Sequence, residues 1–202
     1  MQNKTLTADF CVVGGGLAGI CAAVAAAREG VKTILVHDRP VLGGNASSEI
    51  RMWVCGAKGK DRKETGIVEE MLLENLYSNP ERNYSRWDTV LYSICRREEN
   101  LTLLLNTVCL DTVVADNTIQ SIKAYSSVAQ TWYNISAKIF ADCSGDSILG
   151  VLAKAELRYG REAQGEFSES IAPEVSDRKT MGPSCLLQCR ETTEDHDFIP
   201  PE

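Results

Sequence analysis

An α/β domain built on a central parallel sheet, crossed over by a β-meander and followed by the start of a second domain, is the fold class this 202-residue sequence predicts. Three observations carry it. Strand, glycine turn, helix and strand follow one another without a break from Ala8 to His37. At Leu101 the apolar period changes from helical to strand-like. A late apolar run, Ile139 to Asp142, then returns as a buried strand and ends at Ser144-Gly145-Asp146, which opens a further helix with Asp146 near its start.

The first unit is the most specific. Phe10 to Val13 is a short apolar run of the kind buried on both faces, and it leads into Gly14, Gly16 and Gly19 at GxGxxG spacing. Gly14 permits the tight turn, Gly16 lets a pyrophosphate approach the backbone, and Gly19 lets the next helix pack closely on the strand. That helix, Leu17 to Glu29, is rich in alanine, and its first residues, Leu17 and Ala18, offer free N–H groups to a phosphate. Gly30 supplies the stop. Lys32 to His37 closes a Rossmann-like βαβ unit, so the glycine motif has the strand before it and the helix after it that a dinucleotide cradle requires. The position that commonly carries the acid for the adenosine ribose is His37, with Asp38 immediately after it, and the sequence leaves open which of the two meets the sugar.

Asn45 to Lys63 reads as loop opened by a short helical turn. Thr65 to Ser78 and Trp87 to Glu98 carry apolar residues at helical spacing and are expected to cover the sheet. Leu101 to Leu105 is a buried strand. Thr107 to Ala115, Thr118 to Ser126 and Thr131 to Ile139 are the meander, its first turn marked by Asp116-Asn117. Residues 1–160 thus form the nucleotide-binding domain, and 161–202, polar and weakly periodic, the incomplete beginning of a second.

Composition narrows the function. An apolar fraction of 44% and a charged fraction of 24% are ordinary for a globular protein, and a net charge of -7 argues against nucleic acid or an anionic membrane as partner. The start MQNKTLTADF has no basic region followed by an apolar stretch, which makes the cytoplasm the expected location. The eight cysteines fit: Cys11, Cys21, Cys95, Cys109 and Cys143 fall inside predicted elements, where a free thiol is a small hydrophobe. Cys185 and Cys189 lack the further ligands of a metal centre, so no metal is expected.

Three separated motifs, GGGLAG at Gly14 to Gly19, RPVLGGNASSEIR at Arg39 to Arg51 and FADCSGDSILG at Phe140 to Gly150, resemble those of FAD-dependent oxidoreductases of the glutathione-reductase-like superfamily, in the branch of the succinate dehydrogenase and fumarate reductase flavoproteins. A looser match runs from Gly160 to Ser184. The resemblance implies FAD as cofactor and hydride transfer between flavin and a small organic substrate. It also implies the residues that hold FAD: Gly14, Gly16, Leu17, Ala18 and Gly19; His37, Asp38 and Arg39 after the second strand; Gly43, Gly44, Asn45 and Ser47 in the second glycine turn; Val108 beside adenine; and Ser144, Gly145 and Asp146 near the phosphates and ribityl chain. Family members continue well past this length, so the chain reads as an N-terminal fragment.

Taken singly, these residues have blander roles: Gly43-Gly44 as a turn, Val108 as core, Asp146 as a helix N-cap. Glu49, Arg51 and Cys55 follow the second glycine turn and are the weak catalytic candidates, with Arg51 able to stabilise charge near the flavin ring. Their alternative is a surface ion pair between Glu49 and Arg51 and a buried Cys55 thiol. Three other functions are weighed against the FAD-dependent oxidoreductase: a flavoprotein of the tRNA-uridine-modification type, a nicotinamide-only dehydrogenase, which would lack the GNASSE and DCSGD elements, and a non-catalytic dinucleotide-binding fragment. The substrate, the electron acceptor and the oligomeric state are not legible.

Overall fold

The computed structural model describes residues 1–57, 59–60, 62–181, 191–197 and 199, and the chain divides into two units, Met1–Leu157 and Arg158–Glu202. In chain order the first unit runs β1 (Gln2–Thr7), β2 (Phe10–Val13), α1 (Leu17–Arg28), β3 (Thr33–Val36), a 3-10 turn at Gly44–Ala46, α2 (Gly66–Ser78), α3 (Tyr84–Arg97), β4 (Leu101–Leu104), β5 (Thr107–Ala115), β6 (Thr118–Ser126), β7 (Thr131–Ser136), β8 (Ile139–Asp142) and α4 (Ile148–Leu152). The strands make two four-stranded sheets. One is parallel throughout, ordered β4-β3-β2-β8, and the other is the meander, ordered β1-β7-β6-β5, with β1 parallel to β7 and the remaining pairs antiparallel.

The parallel strands read as unbroken apolar runs because both of their faces are covered, and successive side chains point to opposite faces. Val12 and Leu35 turn toward the helices, where they join Ile20, Val24, Trp87, Leu91 and Ile94 in one core. Their neighbours Cys11, Val13, Ile34 and Val36 turn the other way and pack with Cys109, Ile122, Ala124 and Ile135 from the meander. The result is three layers: helices, parallel sheet, meander. Cys11, Cys95 and Cys109 are buried in these cores, and desolvation pushes the thiols of Cys11 and Cys95 up to about 12 and that of Cys109 to about 11, so they act as hydrophobes rather than nucleophiles.

Local signals account for the helix ends. At the end of α1 the Val31 N–H donates to the Ala26 carbonyl and the Gly30 N–H to that of Ala27, with Gly30 at φ +82°, a Schellman stop. Asn83 caps α3 by accepting hydrogen bonds from the N–H groups of Ser85 (2.8 Å) and Arg86 (3.4 Å). The buried residues Trp87, Val90, Leu91, Ile94 and Cys95 of α3 follow the helical period.

The N-terminal segment is strand β1, an edge strand whose residues are mostly exposed. Two sequence expectations change. Thr131 to Ile139, expected as one strand, ends at Ser136: after a two-residue step the chain leaves the meander and enters the parallel sheet at Ile139. Asp146 is not the N-cap of α4, a position held by Ser147.

The second unit, taken by itself, contains a short helix α5 (Gln164–Phe167) and a bridge between Arg161 and Asp177, where the two side chains also pair as ions; Arg158 pairs with Glu166. Cys185 and Cys189 lie outside the described residues. Among the described residues no group of His, Cys, Asp and Glu is placed to hold a metal ion.

Gly19 is where α1 packs on the turn that follows β2: a Cβ there would lie 1.9 Å from the Gly14 carbonyl oxygen, a backbone atom. Gly19→Ala is therefore expected to cost on the order of 2–3 kcal/mol of stability, seen as a lowered denaturation midpoint, whereas an unchanged midpoint would mean that the helix is free to shift.

Candidate cofactor site

Because the strands of the parallel sheet share a register, Leu104, Val36, Val13 and Asp142 end in one row at its carboxyl edge. Every loop leaving that edge therefore meets at the same place. There the chain opens a cleft of about 680 Å³ lined by Gly14, Gly15, Gly16, Leu17, Ala18, His37, Asp38, Arg39, Gly43, Gly44, Asn45, Val108, Ser144, Gly145 and Asp146. Ile50, Met52, Trp53 and Val54 complete its wall.

Backbone rather than side chain builds the floor. Gly14, at φ +106°, sits so near the end of β8 that a Cβ would fall 2.3 Å from the Cys143 carbonyl oxygen. The Gly43 N–H donates to the Gly15 carbonyl at 2.8 Å, and Gly16 and Gly43 form a parallel bridge, so the second glycine turn is docked on the first. Gly43 is also left-handed, at φ +110°, and its missing side chain makes room for Leu91 of α3. Gly16 differs from all of these, since a Cβ there would meet nothing within 4 Å. Its open side faces the cleft at the N-terminus of α1, where helix N–H groups and the helix dipole favour an anion.

His37 and Asp38 part company. His37 is buried, 5% exposed, with the Gly15 N–H donating to its Nδ1 at 2.9 Å and its Nε2 2.9 Å from the Val41 carbonyl. Both ring nitrogens are thereby engaged, which takes His37 out of the role of ribose partner. Nδ1 accepts from an amide and so carries no proton, leaving Nε2–H to donate to Val41. The carboxylate of Asp38, 3.4 Å from Nδ1, therefore faces a neutral ring rather than an ion-pair partner. Desolvation holds the imidazole below the ordinary histidine range, against the opposing pull of Asp38. Asp38 itself is exposed in the cleft, and it is the side chain free to meet a sugar.

The remaining candidates spread out. Ser47 is buried, 1% exposed, and its hydroxyl accepts the Glu49 N–H at 3.3 Å; it holds the turn rather than lining the cleft. Glu49 pairs with Arg39 at 3.0 Å, not with Arg51. Arg51 is exposed at φ +63° and its Nε donates to the Ser48 carbonyl, so its guanidinium lies outside the cleft lining. Cys55 is exposed rather than buried and borders a separate groove with Leu72 and Leu76.

The sequence reading missed two features. The first is the apolar wall. Ile50, Met52 and Trp53 are 37%, 49% and 38% exposed, and Val108 in the same cleft is 38% exposed, a cost in water that a flat apolar ligand would remove. α3 holds this loop: Asp88 accepts the Ser48 N–H at 2.9 Å, the Tyr84 hydroxyl donates to the Arg51 carbonyl at 2.6 Å, and Trp53 stacks on Tyr84 with centroids 4.3 Å apart. The run Ile50 to Val54, apolar at four of five positions inside a loop, was its signal. The second is Asp142, which organises the turn after β8. It accepts from the Ser144 N–H and hydroxyl and from the N–H groups of Leu149 (2.8 Å) and Gly150 (3.0 Å). Burial opposes its charge, but these hydrogen bonds outweigh that and hold the carboxyl below the ordinary aspartate value.

Residues 9–198 match the model of the FAD dependent oxidoreductase family, and the chain belongs to that family. It is 40% identical over 77 residues to the 4-oxocyclohex-2-ene-1-carboxylate 5-dehydrogenase of Sinomonas cyclohexanicum, covering 37% of this chain and 13% of that one. It is 52% identical over 40 residues to a fumarate reductase (cytochrome) of Shewanella frigidimarina, 20% of this chain and 7% of that one. The chain thus spans a small part of the length of these relatives. Thermovibrio ammonificans THI4 shares the fold at a TM-score of 0.53 and 17% identity, over 84% of this chain and 76% of that one. A geranylgeranyl bacteriochlorophyll reductase-like protein of Thermoplasma acidophilum does so at 0.53 and 18%, over 78% and 45%.

Replacing Asp142 by Ala removes an acceptor for four donors at the start of α4 and is expected to cost about 1–2 kcal/mol. Because the folded carboxyl has the lower pKa, its contribution is present above the ordinary aspartate value and disappears as pH falls through the folded one. Denaturation midpoints of wild type and Asp142→Ala should therefore converge in acid; a gap independent of pH would assign the effect to packing.

Proposed function

We propose that this chain is the FAD-binding part of an oxidoreductase that exchanges a hydride with a small organic substrate. The observation that carries the reading is the cleft itself. Its floor is a glycine-on-glycine backbone with open space at Gly16, and its wall is an exposed apolar face. A volume of about 680 Å³ lies in the range of cofactor clefts. In this reading the α1 N-terminus and Gly16 take the pyrophosphate, Asp38 the adenosine ribose and Val108 the adenine. Gly145 and Asp146 take the ribityl side, and Ile50, Met52 and Trp53 shield the isoalloxazine from water. Bound flavin supplies the redox chemistry itself, and the protein supplies orientation and surroundings.

Glu49, Arg51 and Cys55 fit this reading poorly as catalytic groups, because none lines the cleft. The substrate's acid or base then comes from elsewhere in the protein. The net charge of -7 argues against nucleic acid as a partner. No helix among the described residues is long and apolar enough to cross a membrane. A cytoplasmic setting belongs to the same reading and is supported by the six cysteines among the described residues, none of which is paired.

The test is the visible absorption of purified protein after incubation with FAD and removal of excess. Wild type should retain the flavin spectrum. Gly16→Val should lose it while keeping the wild-type circular dichroism and denaturation midpoint, since the new side chain enters open space that the pyrophosphate needs. Retention by Gly16→Val would show that this turn is not the phosphate cradle. Asp38→Ala should weaken FAD about tenfold, the worth of one charge-assisted hydrogen bond, as read by titration; unchanged affinity would remove Asp38 from the site.

A further inference from the structure

The FAD reading assigns His37 no ligand contact, yet this buried polar ring is the tie between the two glycine turns. Its Nδ1 accepts the Gly15 N–H and its Nε2–H reaches the Val41 carbonyl, both at 2.9 Å. Gly15 is the residue whose carbonyl receives Gly43, and Val41 leads directly into Leu42 and Gly43. A Cβ at Gly15 would stand 2.7 Å from the imidazole Cγ and 2.6 Å from Leu42, so ring, loop and Leu42 are in close register. The backbone ties His37 into the sheet as well, its N–H donating to the Leu104 carbonyl and its carbonyl accepting from Thr107.

We propose that His37 is a positioning residue, a neutral imidazole latch that holds the first glycine turn in its cofactor-receiving form and releases it when protonated, so that acid loosens FAD. The inference rests on the FAD reading of the cleft. Its chemistry is simple: an imidazolium has no lone pair at Nδ1, so protonation turns the Gly15 N–H···Nδ1 bond into two opposed donors in a site with little access to water. The charged groups around the ring are Asp38, Arg39 and Glu49, all from the segment that follows β3. The first glycine turn and the start of α1, Gly14 to Ala22, bring no charge, nor does the β4–β5 turn, Leu104 to Thr107. Asp38 and Glu49 favour the proton and Arg39 opposes it, while desolvation is the largest influence and keeps the ring neutral.

The sign follows from a folded pKa below the unfolded one. Above the ordinary histidine value both states are neutral and the latch is closed. As pH falls from there toward the lower folded value, the unfolded or open-loop form takes the proton first and the latch weakens; below the folded value the loss is complete.

The sequence contains two histidines, His37 and His196, so imidazole NMR of the whole 202-residue chain resolves them readily. His37 should appear as the neutral Nε2–H tautomer at pH 7, titrate below the ordinary histidine value, and carry the Gly15 amide shift with it at the same midpoint. FAD affinity, measured by flavin titration between pH 5 and 8, should fall about tenfold over that transition. His37→Gln, whose amide offers one acceptor and one donor but does not titrate, should keep FAD at pH 7 and lose the pH dependence. An ordinary titration of His37 with the Gly15 amide unmoved overturns the inference. So does an FAD affinity that is unchanged while the NMR shows His37 protonated, or a His37→Gln variant with the wild-type pH profile. Failure to bind FAD at any pH overturns the proposed function instead, and the NMR midpoints still decide whether the latch exists.

Discussion

The docking of one glycine turn on another is the constraint on which the rest of this structure depends. The Gly43 N–H reaches the Gly15 carbonyl, Gly16 and Gly43 bridge, and Gly14 lies against the end of β8 at Cys143. Three loops from three parallel strands are thus brought together at distances no side chain would allow. A backbone-lined cleft at a sheet's carboxyl edge exists only if these positions stay bare. Ligand space and packing are divided among the glycines: Gly14, Gly15, Gly19 and Gly43 are crowded by protein, and Gly16 by nothing.

The helical layer fixes the loops from behind. α3 enters the core through Trp87, Leu91 and Ile94, and the same helix presents Leu91 under Gly43, Asp88 to the Ser48 amide and Tyr84 to both the Arg51 carbonyl and the ring of Trp53. Burial of one face of α3 therefore sets the position of the loop on the other side of the cleft. The meander layer does the corresponding work at the Val108 end of the cleft. Cys109 and Ile122 anchor it to the parallel sheet, which leaves Val108, of opposite orientation in the strand, turned to the cleft.

Much of this was legible in the sequence, for reasons that differ by element. The βαβ unit announced itself because glycine spacing, an alanine-rich helix and apolar strands on either side are all local and mutually consistent. The strands β5, β6 and β8 match the expected boundaries, since turns of Asp-Asn and Ser-Gly type punctuate them. By contrast β1, Gln2-Asn3-Lys4-Thr5-Leu6-Thr7, has no alternation to read. It exists because β7, about 130 residues later, offers a paired edge. The break at Ser136 was hidden for a related reason, because the chain changes sheet without a turn residue to mark it. At the site, the paired side chains were the illegible part. That Glu49 meets Arg39, that Asp142 rather than Asp146 serves α4, and that His37 turns inward while Asp38 turns out are all decided by the path of the folded loop. Residue type alone left each of them open.

In the proposed function FAD lies along one continuous line from Val108 and Asp38, over the Gly16 turn, to Ile50, Met52 and Trp53. Two-dimensional amide NMR of the isotopically labelled chain during titration with FAD tests that line directly. Saturable shifts are expected at Gly14 to Gly19, Asp38, Gly43 to Asn45, Met52 and Trp53, Val108 and Ser144 to Asp146, with the outer face of α2 around Leu73 and Leu76 unmoved. Shifts concentrated at α2 and Cys55, or saturable binding that leaves the Gly14 to Gly19 amides in place, would contradict it.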